Sequence, residues 1–282
     1  MDLQRLIEFE FPAVEQTYSK TDSMIYALGL GYGTRPLDPQ HLRFVYEDGV
    51  ETVPSMCVVL GYPGFWLREP RLGADWVRML HAEHYFEVHR PLPANGTINS
   101  NHKLLAVNDK GPDKGALVYL EKRLTDHAGA MLATVRQTLF LRGDGGCGNF
   151  GVPPADPSAL PQRAVDRTLS IQTYPNSALL YRLNGDWNPI HADPKVAKTA
   201  GFDKPILHGL CSMGLATRAV IECYCDGDPR GFRSLFVRFS RPVIPSDTVK
   251  FEFFDEPSSV SFRAVAIERD VVVLDRCTAK LN

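Results

Sequence analysis

The 282-residue sequence lacks every feature that would commit it to a membrane, a nucleic acid or an oxidising compartment. No apolar run approaches the roughly 20 residues that cross a bilayer. No block of Lys or Arg stands out, and the formal net charge is −2 with a pI near 6.4. Nucleic acid or an anionic lipid surface is therefore not expected as the main partner. The six cysteines (Cys57, Cys147, Cys211, Cys223, Cys225 and Cys277) form no C-x-x-C pair, and read as buried thiols. Met1-Asp2-Leu3-Gln4-Arg5 has no signal-peptide character. The ending Ala279-Lys280-Leu281-Asn282 misses a Ser-Lys-Leu-type address, so the expected location is cytoplasmic. No activated nucleophile is legible either. Ser212 lacks a Gly-x-Ser-x-Gly setting and Cys211 an electropositive one. His81, His84 and His89 invite a metal reading, but a strand through them would turn His84 and His89 to opposite faces, so no metal site is expected.

What the chain does contain is an ordinary globular composition, 44% apolar and 23% charged. It also contains itself twice, at an offset of 151 residues. Arg90-Pro91-Leu92 with Gly96-Thr97-Ile98 returns as Arg241-Pro242-Val243 with Asp247-Thr248-Val249, and Pro54 returns as Pro205. Between the copies, Gly143-Asp144-Gly145-Gly146-Cys147-Gly148 leads into Pro153-Pro154, Pro157 and Pro161, a density that continues neither a helix nor a central strand. The expected organisation is a first unit over 1–145, a linker over 146–164 and a second unit over 165–282. In each unit a Pro-opened helix precedes strand-like runs, and Pro205 to about Tyr224 is the clearer helix, apolar nearly all round. The strand-like runs are 85–88, 117–124, 130–141, 235–239, 249–254, 260–266 and 271–274. The expected class is α+β: in each unit an antiparallel sheet curls around one long helix, a double hotdog in outline.

The two copies differ in one place that matters. Gly185-Asp186-Trp187-Asn188-Pro189-Ile190-His191 puts an acid, an amide and an imidazole on a turn stiffened by Pro189. The first copy has only Asp38-Pro39-Gln40-His41 there, and Cys57-Val58 where the second has His208-Gly209. Asp-x-Asn-Pro is also plain turn chemistry, and His208-Gly209 also reads as a packed helix entry. The functional reading joins the two pieces. Asp186 and His191 share a water and move its protons, Asn188 orients the water or its partners, and the Gly209 N–H at a helix start receives a developing oxyanion. That set suits adding water to, or removing it from, a C=C bond conjugated to a carbonyl.

The run Tyr181 to His191, followed by Gly201-Phe202-Asp203-Lys204-Pro205-Ile206-Leu207-His208-Gly209-Leu210-Cys211, resembles the (R)-specific enoyl-CoA hydratases of the hydratase-2 type, also called MaoC-like dehydratases. Leu80-His81 with Tyr85, Arg90-Pro91-Leu92-Pro93 and Phe140-Leu141-Arg142-Gly143 resemble the first repeat of their long, two-repeat form. The resemblance implies a double hotdog dimer whose second repeat is catalytic, and hydration of trans-2-enoyl-CoA to (3R)-3-hydroxyacyl-CoA. It implies no cofactor beyond the coenzyme A of the substrate. It also implies catalytic roles for Asp186, His191, Asn188 and Gly209. Substrate contacts are implied for His81, Arg182, Trp187, Pro189, Ile190, Phe239 and a lysine, Lys114 in preference to Lys110. The coenzyme A phosphates have four cationic candidates, Arg182, Lys195, Lys204 and Arg238. Asn184, Ala82 and Ser246 depart from the family pattern, and Asn184, next to the turn, is expected to influence acyl preference. The alternatives are a dehydratase for bulky or branched 3-hydroxyacyl-CoA, and a non-catalytic acyl-CoA-binding protein.

Overall fold

A computed structural model describes residues 1–282. The duplication becomes one antiparallel sheet. The first half supplies β1 (Val14–Tyr18), β2 (Met79–Val88), β3 (Gly96–Asp109), β4 (Ala116–Asp126) and β5 (Met131–Leu141), and the two-residue β6 (Phe150–Gly151) pairs with β3. The second half supplies β7 (Arg167–Gln172), β8 (Phe232–Phe239), β9 (Thr248–Glu256), β10 (Ser259–Ala266) and β11 (Val271–Leu281). The strand order is β1-β3-β4-β5-β2-β8-β11-β10-β9-β7. Exchanging each strand with its counterpart in the other half reverses that order, so an approximate two-fold axis passes between β2 and β8. At this seam Tyr85 faces Phe236 in register, and Phe86 stacks on Phe232 with ring centroids 5.5 Å apart. Arg238 pairs with Glu83 at 2.6 Å and Arg233 with Glu87 at 2.7 Å. The seam is thus closed by backbone bonds, aromatic burial and two cross-half ion pairs.

The helices are α1 (Leu3–Ile7), α2 (Lys20–Gly29), α3 (Pro39–Leu42), α4 (Ser177–Tyr181), α5 (Pro194–Thr199) and α6 (Gly209–Tyr224). Every residue of α6 from Cys211 to Ile221 is buried, which explains a helix sequence with no polar face. It lies in a core of 45 buried residues drawn from both halves.

The first half does not repeat this helix. The stretch opened by Pro54 forms one tight turn, Pro54–Val58, and stops. Its end is determined chemically. The buried Lys122 ammonium donates to the carbonyls of Cys57, Val58 and Leu60 at 2.9, 3.0 and 2.6 Å, the acceptors that a further helical turn would have used. Gly61 then turns the chain at φ +63°, and Pro63 follows. The expectation of a long helix in each repeat is corrected to one long helix, in the second.

The first-half echo of the turn motif has also changed its use. Asp38 accepts a bond from the N–H of Gln40 at 2.9 Å, Pro39 opens the turn and His41 closes it. Asn188, Pro189 and His191 do the same in the second half, with the Ile190 N–H bonded to the Asn188 side chain at 3.2 Å. His41, however, is fully buried against α6. Its Nε2 lies 2.9 Å from Arg35 Nε and 3.3 Å from Glu222, itself paired with Arg218 at 2.6 Å and Arg35 at 2.8 Å. One copy of the motif bolts the halves together and the other is left free.

Candidate active site

The free copy is shaped by its own sequence. Gly185 sits at φ 103°, a conformation that side-chain-bearing residues rarely adopt, and it reverses the chain after α4. Asp186 accepts a bond from the Asn188 N–H at 3.1 Å. Pro189 starts the single turn Pro189–His191, which throws the His191 ring inward to a buried position.

There His191 Nδ1 donates to the Ile206 carbonyl at 2.8 Å. That bond selects the tautomer, leaving Nε2 as the nitrogen free to exchange a proton. Burial pushes the His191 pKa down, against the opposing pull of the Ile206 carbonyl and of Asp186, so the ring is neutral at pH 7. His208, the residue that caps α6, stacks on it with centroids 3.7 Å apart and planes 26° from parallel. Its Nε2 lies 3.3 Å from the Asp186 carbonyl oxygen. Burial, and then the neighbouring His191, lower the His208 pKa to about 4. The ligand atoms of Asp186, His191 and His208 lie within 4.8 Å of one another. His191 Nδ1 is spent on the Ile206 carbonyl and His208 Nε2 faces the Asp186 carbonyl, so each ring has one nitrogen already engaged. The set is arranged better for moving protons than for holding a metal.

Gly209 follows as the first residue of α6, where the backbone N–H has no intrahelical acceptor. Its missing side chain has a packing cause: an added Cβ would stand 3.3 Å from Cε1 of Phe239. Phe239, at the end of β8, also meets His81 edge-on at 5.0 Å. His81 Nε2 lies 2.9 Å from His84 Nδ1, and burial lowers the His81 pKa to about 4. An irregularity in the β2–β5 pairing between His81 and Glu83 is what lets His81 and His84 face each other. Asp186, His191, Gly209, Phe239 and His81 are thus gathered at one place from four elements and both halves.

Other expected residues fall at the rim or outside it. Asn188 is exposed with its oxygen spent on Ile190, while its amide NH2 stays free. Trp187 is exposed under the Arg182 guanidinium, 5.1 Å from its ring centroid, and Arg182 also donates to the Trp187 carbonyl at 3.2 Å. Pro189 is exposed and Ile190 half-buried on the same turn. Lys110 and Lys114 are both exposed on the β3–β4 turn, and no hydrogen bond or ion pair joins either to the cluster. Arg238 is committed to Glu83 and is therefore not free for a phosphate. Asn184 caps α4 through the Tyr181 carbonyl at 2.8 Å and packs on Gly29 of α2. That contact serves the helix end, so no side-chain contact with the cluster carries the expected influence on acyl choice. His208 and His84 were not singled out as site residues. The Leu207-His208-Gly209 run was the available signal for His208, but its ring direction is a tertiary fact.

Comparison with known proteins fits this geometry. Residues 16–143 match the family described as MFE-2 hydratase 2 N-terminal domain, and residues 157–275 the MaoC like domain. The peroxisomal enoyl-CoA hydratase 2 of Arabidopsis thaliana is 37% identical over 286 residues, covering 95% of this chain and 92% of the plant protein. The peroxisomal multifunctional enzyme type 2 of Drosophila melanogaster is 34% identical over 94% of this chain, which spans 46% of that longer protein. A crystal structure of a MaoC-like dehydratase from Phytophthora capsici superposes with a TM-score of 0.88 at 32% identity, covering 100% and 99% of the two chains. A Mycobacterium tuberculosis protein described as a double hotdog fold, 17% identical over 97% of this chain and 94% of its own, shares the fold with a TM-score of 0.55. No helix here is long and apolar enough to cross a membrane. The chain is a double hotdog protein and belongs to the MaoC-like dehydratases, in the two-repeat form that carries an MFE-2 hydratase 2 N-terminal domain before the MaoC-like domain.

Proposed function

We propose that this chain adds water to trans-2-enoyl-CoA to form (3R)-3-hydroxyacyl-CoA, a reversible hydro-lyase reaction. The observation that carries the reading is the meeting of Asp186, the free Nε2 of His191 and the unpaired N–H of Gly209 at one helix start. Water oxygen bonds to C3, the double-bond electrons move toward C2 and the thioester oxygen, and a proton then joins C2. Gly209 N–H, helped by the partial positive charge of the α6 start, stabilises the thioester oxygen as it gains charge. Asp186 and His191 together take one proton from water and deliver one to C2, so the site ends as it began. His191 acts through Nε2, and Asn188 holds the water with its free amide. His81, Phe239, Arg182, Trp187, Pro189, Ile190 and Lys114 line the path of the substrate. The reaction is redox-neutral and asks for no cofactor beyond the coenzyme A of the substrate. Units over 1–145 and 165–282 joined by a linker over 146–164, a homodimer and a cytoplasmic place belong to the same proposal. Sedimentation of the purified protein and cell fractionation test the last two.

The decisive assay follows loss of the enoyl-thioester absorbance with crotonyl-CoA and a medium-chain enoyl-CoA, with the product offered to (3R)- and (3S)-specific dehydrogenases. Turnover to the (3R) product is expected, and Asp186→Ala should lose at least about a hundredfold. No turnover of either substrate, a (3S) product, or a loss below about tenfold (~1.4 kcal/mol of barrier) in that variant overturns the assignment.

A further inference from the structure

We propose that His208 is a positioning residue of the hydration reaction, clamping Asp186 and His191 to each other and to the start of α6; the proposal rests on the hydratase reading above. His208 touches all three parts. Its ring lies face to face with His191 at 3.7 Å, its Nε2 reaches the Asp186 carbonyl at 3.3 Å, and its own carbonyl accepts the N–H groups of Cys211 and Ser212 at 3.1 and 3.2 Å. Tyr181 backs the ring at 5.1 Å, and only 1% of the residue is exposed. A helix entry needs none of this from its side chain. The cap position of α6 takes no side-chain bond from His208, which faces away from the helix and into the acid–base pair.

The bonding pattern specifies a tautomer. Nδ1 is buried and has no partner. The one acceptor in reach of the ring is the Asp186 carbonyl, beside Nε2. A neutral ring carrying its hydrogen on Nε2 satisfies that carbonyl and leaves only a lone pair bare on Nδ1. The opposite tautomer would bury an unsatisfied N–H and turn a lone pair against an oxygen, both unfavourable. Burial holds the ring neutral at pH 7. In this state His208 exchanges no proton in the reaction. Its work is to set the main chain of Asp186 against the plane of His191.

The test has two independent arms. In the first, His208→Phe keeps a flat ring for the stack and removes the N–H, while His208→Gln returns an N–H donor without the ring. Freeing Asp186 by up to 1 Å is worth about a hundredfold in rate, so His208→Phe should lower kcat by roughly ten- to a hundredfold with KM within twofold. His208→Gln should recover part of the loss. A role confined to stability would lower Tm and leave the kcat of the folded protein unchanged, and that result, or wild-type kcat in His208→Phe, overturns the proposal. The second arm needs no variant. Nitrogen-15 spectra of wild-type protein at pH 7 should assign His208 as the neutral Nε2–H form, and a charged ring or the Nδ1–H form overturns the clamp. This arm reads the clamp even if the protein hydrates no enoyl-CoA, so failure of the hydratase reading and failure of the clamp are distinguishable.

Discussion

Gly209→Ala separates the oxyanion geometry from helix stability. Gly209 has helical backbone angles rather than positive φ, so alanine fits the chain there. Replacing glycine at a compatible position stabilises by up to about 1 kcal/mol, because the unfolded chain has less freedom to lose. The methyl group meets Phe239, with the new Cβ 3.3 Å from Cε1 and 3.5 Å from Cδ1 and Cζ of the ring. A contact that tight makes either the ring or the helix start give way by a few tenths of an ångström. The ring is restrained by His81 behind it at 5.0 Å, so part of the movement falls on the helix start and its N–H. If a 1 Å misplacement costs about a hundredfold, a shift of ~0.3–0.5 Å costs roughly four- to tenfold. In free energy that is about 0.8–1.4 kcal/mol of barrier. The expected protein is therefore slower with crotonyl-CoA and no less stable to heat. Phe239→Leu on the same background removes the obstruction and should recover most of the rate. Stopped-assay kcat and a thermal melt of the single and double variants check this. An unchanged kcat in Gly209→Ala would refute the placing of the oxyanion at this N–H.

The acid limb of the pH–rate profile should report His191. Burial lowers its pKa below the ordinary 6.5, so the neutral, working form persists below pH 6.5 and activity falls only as the ring gains a proton lower down. An acid limb centred above 6.5 contradicts the burial argument. Global stability should fall over a related window. His81 and His208 bind protons in the unfolded chain near pH 6.5 but only near pH 4 when folded, so stability is full above about 6.5 and is lost on acidification toward 4. Urea midpoints across that range measure it. At the bolt between the halves, Arg218→Met leaves Glu222 buried with Arg35 as its remaining guanidinium and strips the donor from the Leu30 carbonyl. Breaking a buried pair on one side costs about 3–5 kcal/mol. The remaining Arg35 places this variant at the lower end, and adding Glu222→Leu should restore part of the loss in urea unfolding. A single-variant cost under about 1 kcal/mol would remove the bolt from the account of stability.

The sequence by itself determined the parts of this protein that are local in the chain. The turn from Gly185 to His191 is specified by a glycine that reverses the chain, an Asx bond and a proline, all within seven residues, and it folded as read. The helix read from Pro205 to about Tyr224 starts at Gly209, four residues later, but it and most strands were legible from their apolar residues. The edge strands β1 and β7 were not, being short, nor was β3, where Asn99, Asn101 and Lys103 interrupt the apolar pattern. Only the tertiary structure decided what depends on partners distant in sequence. Lys122 ends the first-half helix from 62 residues or more along the chain, although Pro54 stands in the first copy where Pro205 stands in the second. His41 and His191 sit on the same local turn, yet one is locked by Arg35 and Glu222 and the other keeps a free nitrogen. His208 looked like a helix entry until its ring was placed on His191. Local sequence sets backbone angles, whereas which proton a side chain can move is set by the charges and carbonyls that folding brings against it.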